Sequence, residues 1–283
     1  MMTAQHNRGE GDGAYGSREA AEGWRRGAAT RVQSVGLATD MMLDMANLAI
    51  GSRVLDVAAG TGEQTILAAR RVGPTGSVLA TDIAARMLKV AAKAAGQAGL
   101  SNVTTQVMDG QQLDVEPESF DAVISRLGLM FIPDLPAALA GIRRALKPGA
   151  KLATIVMSSA EKCRYVALPL EIACRHARRP ASALDRIGLF SLGGPGVLEA
   201  ALTNAGFSNV TVQAVPTRRW YPTRAKALQD RENSCPEVGK LMADLSDTER
   251  EAAWSEIEQA MGQFEGPNGV EVSGEVLVGA GTK

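Results

Sequence analysis

Glycines and carboxylates recur in this 283-residue chain at places where they could hold a small molecule. Asp56-Val57-Ala58-Ala59-Gly60-Thr61-Gly62 follows a short apolar run and opens a helical pattern. Glycines in such a turn let the backbone pass close to a ligand. In an open α/β sheet that turn lies at the carboxyl end of a strand, where ligands bind. Twenty-two residues past Gly60 stands Asp82, and another 27 on stands Asp109-Gly110. A carboxylate at the first place can accept bonds from both ribose hydroxyls, and an acceptor at the second can reach an adenine amino group. Singly, each is equally a helix cap or a turn dipeptide. In register with the Gly60 loop they point to one nucleoside cleft. A dinucleotide would want a third glycine at residue 65, where this chain has Thr65.

The elements that must position these residues alternate along the chain. Arg53 to Ala58 reads as a buried parallel strand, and Glu63 to Val72 as a helix stopped by Gly73-Pro74. Ser77 to Thr81, Asn102 to Met108, Phe120 to Ser125 and Lys151 to Met157 read as further strands. Helices are expected around Ala84 to Ala95 and over Leu135 to Leu146, the latter ended by Lys147-Pro148-Gly149. Strand-helix alternation predicts a doubly wound α/β sheet. After Met157 the rhythm breaks. Two helical insertions, at about 158–195 and 222–265, flank a helix over Gly196 to Gly206 and a strand over Asn209 to Ala214, with a last strand near Val270 to Val278. Insertions of that length are usually lids. The expected organisation is a flexible tail over 1–20 and one domain over 21–283, with N-terminal helices at 21–50 and a cofactor-binding core at 51–157.

The run Val54 to Gly62, with Asp82, Asp109 and Arg143-Arg144-Ala145-Leu146-Lys147-Pro148-Gly149, resembles the class I S-adenosylmethionine-dependent methyltransferases. Ser125 to Asp134 (SRLGLMFIPD) brings it nearest the branch of the ubiquinone/menaquinone C-methyltransferases and many natural-product enzymes. The resemblance covers roughly residues 24–157 and the remainder in outline. Ala58 departs from it, standing where the family usually has the first glycine of its loop. The resemblance implies a Rossmann-like sheet of seven strands, mostly parallel with an antiparallel last strand, plus helical lids. It implies S-adenosyl-L-methionine as cofactor. Asp56 would order the loop and meet the cofactor's amino group, while Ala59, Gly60 and Gly62 pack on the methionine part with Ser125 beside it. Asp82 would hold the ribose, with Ile83 and Met87 flanking the adenine and Asp109 and Gly110 at its edge. Trp24 and Arg31 would close over the cofactor.

Methyl transfer from a sulfonium is an in-line displacement that asks for alignment more than for covalent chemistry, and alignment can lower a barrier by ~7–11 kcal/mol. A base is needed only when the acceptor is an alcohol, a phenol or an acidic carbon. His176 in the first insertion is the candidate, with Glu171 and Tyr165 behind it; His6 falls in the tail. Glu171 and Arg175 could equally form a plain i,i+4 ion pair.

Thirty basic and 31 acidic residues give a formal net charge of -1, which argues against nucleic acid or a membrane surface as partner. Three widely spaced cysteines make neither a zinc spacing nor a disulfide framework, and suit a reducing, cytoplasmic setting. They raise an arsenite-methylating alternative, but Glu63 to Arg71 lacks the cysteine such enzymes carry after the loop. The expected partner is a small-molecule acceptor, with a homodimer compatible. Two other readings stand beside it: a nicotinamide-dependent oxidoreductase, which lacks a Tyr-x-x-x-Lys pair here, and a non-catalytic module that binds the cofactor.

Overall fold

Val54 and Leu55 face opposite sides of a strand, and each finds its own apolar layer. The computed structural model describes residues 18–180 and 188–283. Strand β1 (Arg53–Val57) pairs in parallel with β2 (Ser77–Asp82) and β4 (Phe120–Arg126). Outside them lie β3 (Val103–Val107) on β2 and β5 (Leu146–Met157) on β4. Strand β8 (Gly269–Thr282) runs antiparallel to both β5 and β6 (Ser208–Tyr221). The order is β3-β2-β1-β4-β5-β8-β6, and a two-residue β7 (Glu265–Gly266) pairing with β8 makes eight strands where seven are expected. Chain order reverses between β1 and β4, the switch point at which doubly wound sheets bind ligands.

Helix α1 (Arg18–Arg26) takes in the last residues of the expected tail; the rest of that tail, with His6, lies outside the described residues. Val54, Ala122 and Ile124 pack on α2 (Ala28–Met45) and α3 (Glu63–Val72) through Val35, Ala38, Met42, Ala68 and Val72. Leu55, Val57 and Val123 face the other layer, built on Leu139 and Ile142 of α5 (Leu135–Ala145) and on the lid. Helix α4 (Ala85–Gln97) covers β2 and β3. The period-2 alternation of one five-residue strand thus fixes both layers.

The first insertion forms α6 (Arg164–His176), and residues 181–187 of it lie outside the described residues. Helix α7 (Val197–Asn204) leads into β6, and the second insertion forms α8 (Arg224–Ser234), α9 (Pro236–Leu241) and α10 (Asp247–Met261). Thr223 caps α8, and a Ser246/Glu249 capping box opens α10. Helix α6 packs on α9 and α10, while α8 packs on α1. The lid and the N-terminal helix therefore meet. Among the described residues no helix is long and apolar enough to cross a membrane.

Two boundaries differ most from expectation. Strand β5 begins at Leu146 and runs through Lys147-Pro148-Gly149, because Leu146 pairs with Phe120 and Ala150 accepts from the Lys283 N–H at 2.9 Å. Strand β6 continues seven residues beyond Ala214 to Tyr221. Pro216 interrupts the pattern, but β6 is the last strand of the path, where a missing N–H is tolerated.

Candidate active site

The loop after β1 is left-handed at three places: Ala58 (φ 57°), Gly60 (φ 58°) and Gly62 (φ 84°). An alanine in that region is strained. Its methyl fits because Gly128 after β4 has no side chain; a Cβ there would fall 2.4 Å from that of Ala58. The glycine missing from position 58 is thus answered from across the sheet. A Cβ on Gly60 would lie 3.3 Å from the Trp24 Nε1, so α1 closes directly over the loop. Gly62 has another reason to be glycine: a Cβ would meet Ala91 of α4 at 2.7 Å, and Gly62 does not border the cavity.

Beneath the loop Asp56 is fully buried, accepting from Gln64 Nε2 at 3.2 Å and Thr65 Oγ1 at 2.5 Å. Gln64 also donates to the Ala59 carbonyl at 3.0 Å. Burial pushes the Asp56 carboxyl up to about 7, against the pull of those two donors. Asp56 therefore ties the first turn of α3 to β1 from behind the cavity wall and lines no part of it. Thr65 uses its side chain in this tie, at the position where a dinucleotide site needs glycine for close packing.

Asp82 ends β2 facing the loop. Its Oδ2 accepts from Gly60 N at 2.9 Å and its Oδ1 from Ala84 N at 2.9 Å. Burial raises this carboxyl above its ordinary range, and the backbone donors Ala84 and Gly60 oppose the shift. Asp109, after β3, holds Gln111 through the backbone N–H at 2.9 Å and the side-chain amide at 3.1 Å. A Cβ on Gly110 would press within 2.8 Å of the Ile132 Cδ1. These groups border one cavity of about 670 Å³, into which Trp24, Arg31, Ala59, Ile83 and Met87 also face. Ser125 is not among its walls; its hydroxyl is buried behind Gly128 without a hydrogen-bond partner among the described residues.

Glu63 and Arg126 are among the wall residues not singled out from the sequence. Glu63, the first residue of α3, bridges Arg31 at 2.9 Å and Arg126 of β4, and accepts from Thr61 at 2.6 Å. Burial opposes its ionisation, but Arg31 and Arg126 outweigh that and hold the carboxyl below its ordinary range. Arg31 stacks 4.2 Å over the Trp24 ring and donates to the Trp24 carbonyl at 2.5 Å. The charges join α2, α3 and β4 at the cavity floor. Glu63 reads in sequence as an ordinary acidic first turn, and Arg126 only as part of a strand end; their pairing has no local signal.

The three base candidates stand elsewhere. The Tyr165 hydroxyl donates to the Ala227 carbonyl at 2.8 Å inside the lid core. Glu171 pairs with Arg164, its O–N distances 2.6 and 2.8 Å. His176 sits 2.7 Å from Glu256 of α10 and borders a separate open depression of about 430 Å³. None of the three lines the main cavity. The lid instead sends Arg179, Glu237, Lys240 and Leu241 to it.

The chain is similar in sequence and in fold to known methyltransferases. A methyltransferase-domain family matches residues 54–149. The nocamycin O-methyltransferase of Saccharothrix syringae is 32% identical over 182 residues, 60% of this chain and 64% of that enzyme. The ubiquinone/menaquinone biosynthesis C-methyltransferase UbiE of Teredinibacter turnerae is 38% identical over 117 residues, 41% of this chain and 47% of that one. The chain thus spans about half to two-thirds of the length of these relatives. In fold it is similar to Haemonchus contortus phosphoethanolamine N-methyltransferase 2, solved with S-adenosyl-L-methionine, at a TM-score of 0.57 and 21% identity over 94% of this chain and 56% of that one. Residues 54–149, which carry the glycine loop and both strand-end aspartates, match a methyltransferase-domain family, and the chain is similar over part of its length to the UbiE C-methyltransferases.

Proposed function

We propose that this chain transfers a methyl group from S-adenosylmethionine to an oxygen, nitrogen or carbon of a small molecule. One observation carries the reading: Gly60, Asp82 and Asp109-Gly110, from three successive strand ends, border the same cavity. The walls fit the cofactor's chemistry. Asp82 accepts from the Gly60 and Ala84 backbone N–H groups, and a carboxylate's several lone pairs leave it able to accept from a ribose hydroxyl as well. Gly60 and Gly110 leave surfaces bare of side chains, and Ile83 and Met87 offer apolar contact to an adenine ring. Arg31 borders the loop on which the methionine part would rest, and Asp56 braces that loop from behind the wall. When bound, the cofactor supplies a methyl group already activated on a positive sulfur. The chain's own part is to fix that group and to keep water away, with Trp24 above the loop and the lid opposite.

Calorimetry with S-adenosylhomocysteine tests the site. Asp82→Ala should weaken binding on the order of 10- to 100-fold, since a hydrogen bond to a charged group is worth ~1.5–3 kcal/mol. Unchanged affinity in a folded variant would displace the ribose from Asp82. Release of S-adenosylhomocysteine with a panel of phenols, amines and quinone precursors tests turnover. Tight cofactor binding with silence across the panel would favour a binding module, and tight NAD binding without S-adenosylmethionine an oxidoreductase.

A further inference from the structure

The charged side chains on the cavity wall are engaged on the sheet side and in part uncommitted on the lid side. Arg31, Glu63 and Arg126 are tied in one bridge, while Asp82 and Asp109 accept from the Gly60, Ala84 and Gln111 N–H groups. Glu237 of α9 is closed in at 7% exposure, within the attraction of the buried Arg231. Arg179, just past α6, pairs with Asp244 at 2.9 Å, but these side chains are 46% and 84% exposed, and water screens so open a pair. Lys240, three residues along α9 from Glu237, is exposed, borders the cavity and has no hydrogen bond or ion pair among the described residues. Its ammonium stays hydrated, so leaving it unpaired costs the fold little, unlike a sealed ion. Leu127, Phe131, Ile132, Pro133 and Leu241 give the same cavity apolar surface.

We propose that the acceptor is an organic anion, a carboxylate or an ionised phenol or enol on an apolar frame, and that the Lys240 ammonium receives its charge. This rests on the methyltransferase reading, in which Asp82 and the glycine loop hold the cofactor and leave the lid side of the cavity to the acceptor. The uncommitted charge there is positive: Lys240 is unpaired, and Arg179 can leave its exposed partner for a second ionic contact. An acceptor that arrives ionised has no proton to lose, which suits a cavity that none of His176, Tyr165 and Glu171 lines. A protonated amine would instead meet two lid cations.

The test is calorimetry on protein saturated with S-adenosylhomocysteine, using 2-naphthoate and 2-naphthamide as an anionic and a neutral probe of one shape. Naphthoate should bind about fivefold tighter than naphthamide, the upper scale of one exposed ion pair, and the preference should shrink as salt is raised. Lys240→Met should remove most of that preference and Lys240→Arg, which keeps the charge, should retain it, with S-adenosylhomocysteine affinity unchanged in both. Equal affinities, no binding of either probe, or a preference that survives in Lys240→Met would overturn the proposal. A loss of S-adenosylhomocysteine affinity in Lys240→Met would overturn it too, by assigning the ammonium to the cofactor. Failure of the parent protein to bind S-adenosylhomocysteine at all would instead remove the reading beneath it.

Discussion

At the scale of single residues, ionisation of Asp56 is where burial and function pull apart. Its carboxyl titrates at about 7 in the fold against an ordinary 3.8. The folded state therefore holds this proton more tightly than the unfolded chain does. Its contribution to stability is whole below about pH 4 and is lost as pH rises through about 7. Asp56→Asn removes that titration. Urea unfolding at stepped pH should show the stability of the variant relative to the parent rising between pH 4 and 7, by at most ~1.4 kcal/mol per pH unit. Parallel curves would mean that Asp56 ionises alike in both states. Asp82 and Asp109 were legible in sequence because a strand end has a fixed place in this sheet, so their spacing from Gly60 translates into position. His176 was not. A helix shows which residues share a face but not which neighbour that face meets, and here it is Glu256.

Between elements, the contact of Ala58 with Gly128 joins the ends of β1 and β4. Gly128→Ala should destabilise the protein by roughly 1–3 kcal/mol, the usual cost of overpacking. Ala58→Gly alone trades relief of the left-handed strain against extra freedom in the unfolded chain, and should change stability little. The double variant should recover most of the loss. A double-mutant cycle by urea denaturation measures this coupling, and additive effects would dismiss it. From sequence, the alanine at 58 shows only as a departure from the family pattern; its answer 70 residues on becomes visible once β1 and β4 lie side by side. The strands and lid helices were read from periodicity and Gly/Pro stops. The far half of β6 was hidden by Pro216 and Arg218-Arg219, which an edge strand accepts and a central one would not.

Across the whole molecule, segments distant in sequence enclose the cavity: α1 from one side and the lid helices from the other, with α8 resting on α1. A ligand in the cavity thus engages parts that the core at 51–157 alone does not hold together. Saturation with S-adenosylhomocysteine at 100 times its Kd should add about 2.7 kcal/mol and raise a single calorimetric transition by roughly 5–10 °C. Two transitions, with only the first moved by ligand, would show that lid and core melt separately.

Of the chain's three tryptophans, Trp24 alone borders the cavity; Trp220 is half exposed, and Trp254 packs inside the lid. Light emitted by that indole comes from the edge of the cavity. The protein thereby contains its own optical gauge of occupancy, readable without a dye, and replacing Trp24 with phenylalanine blinds it while leaving the other two as an internal standard.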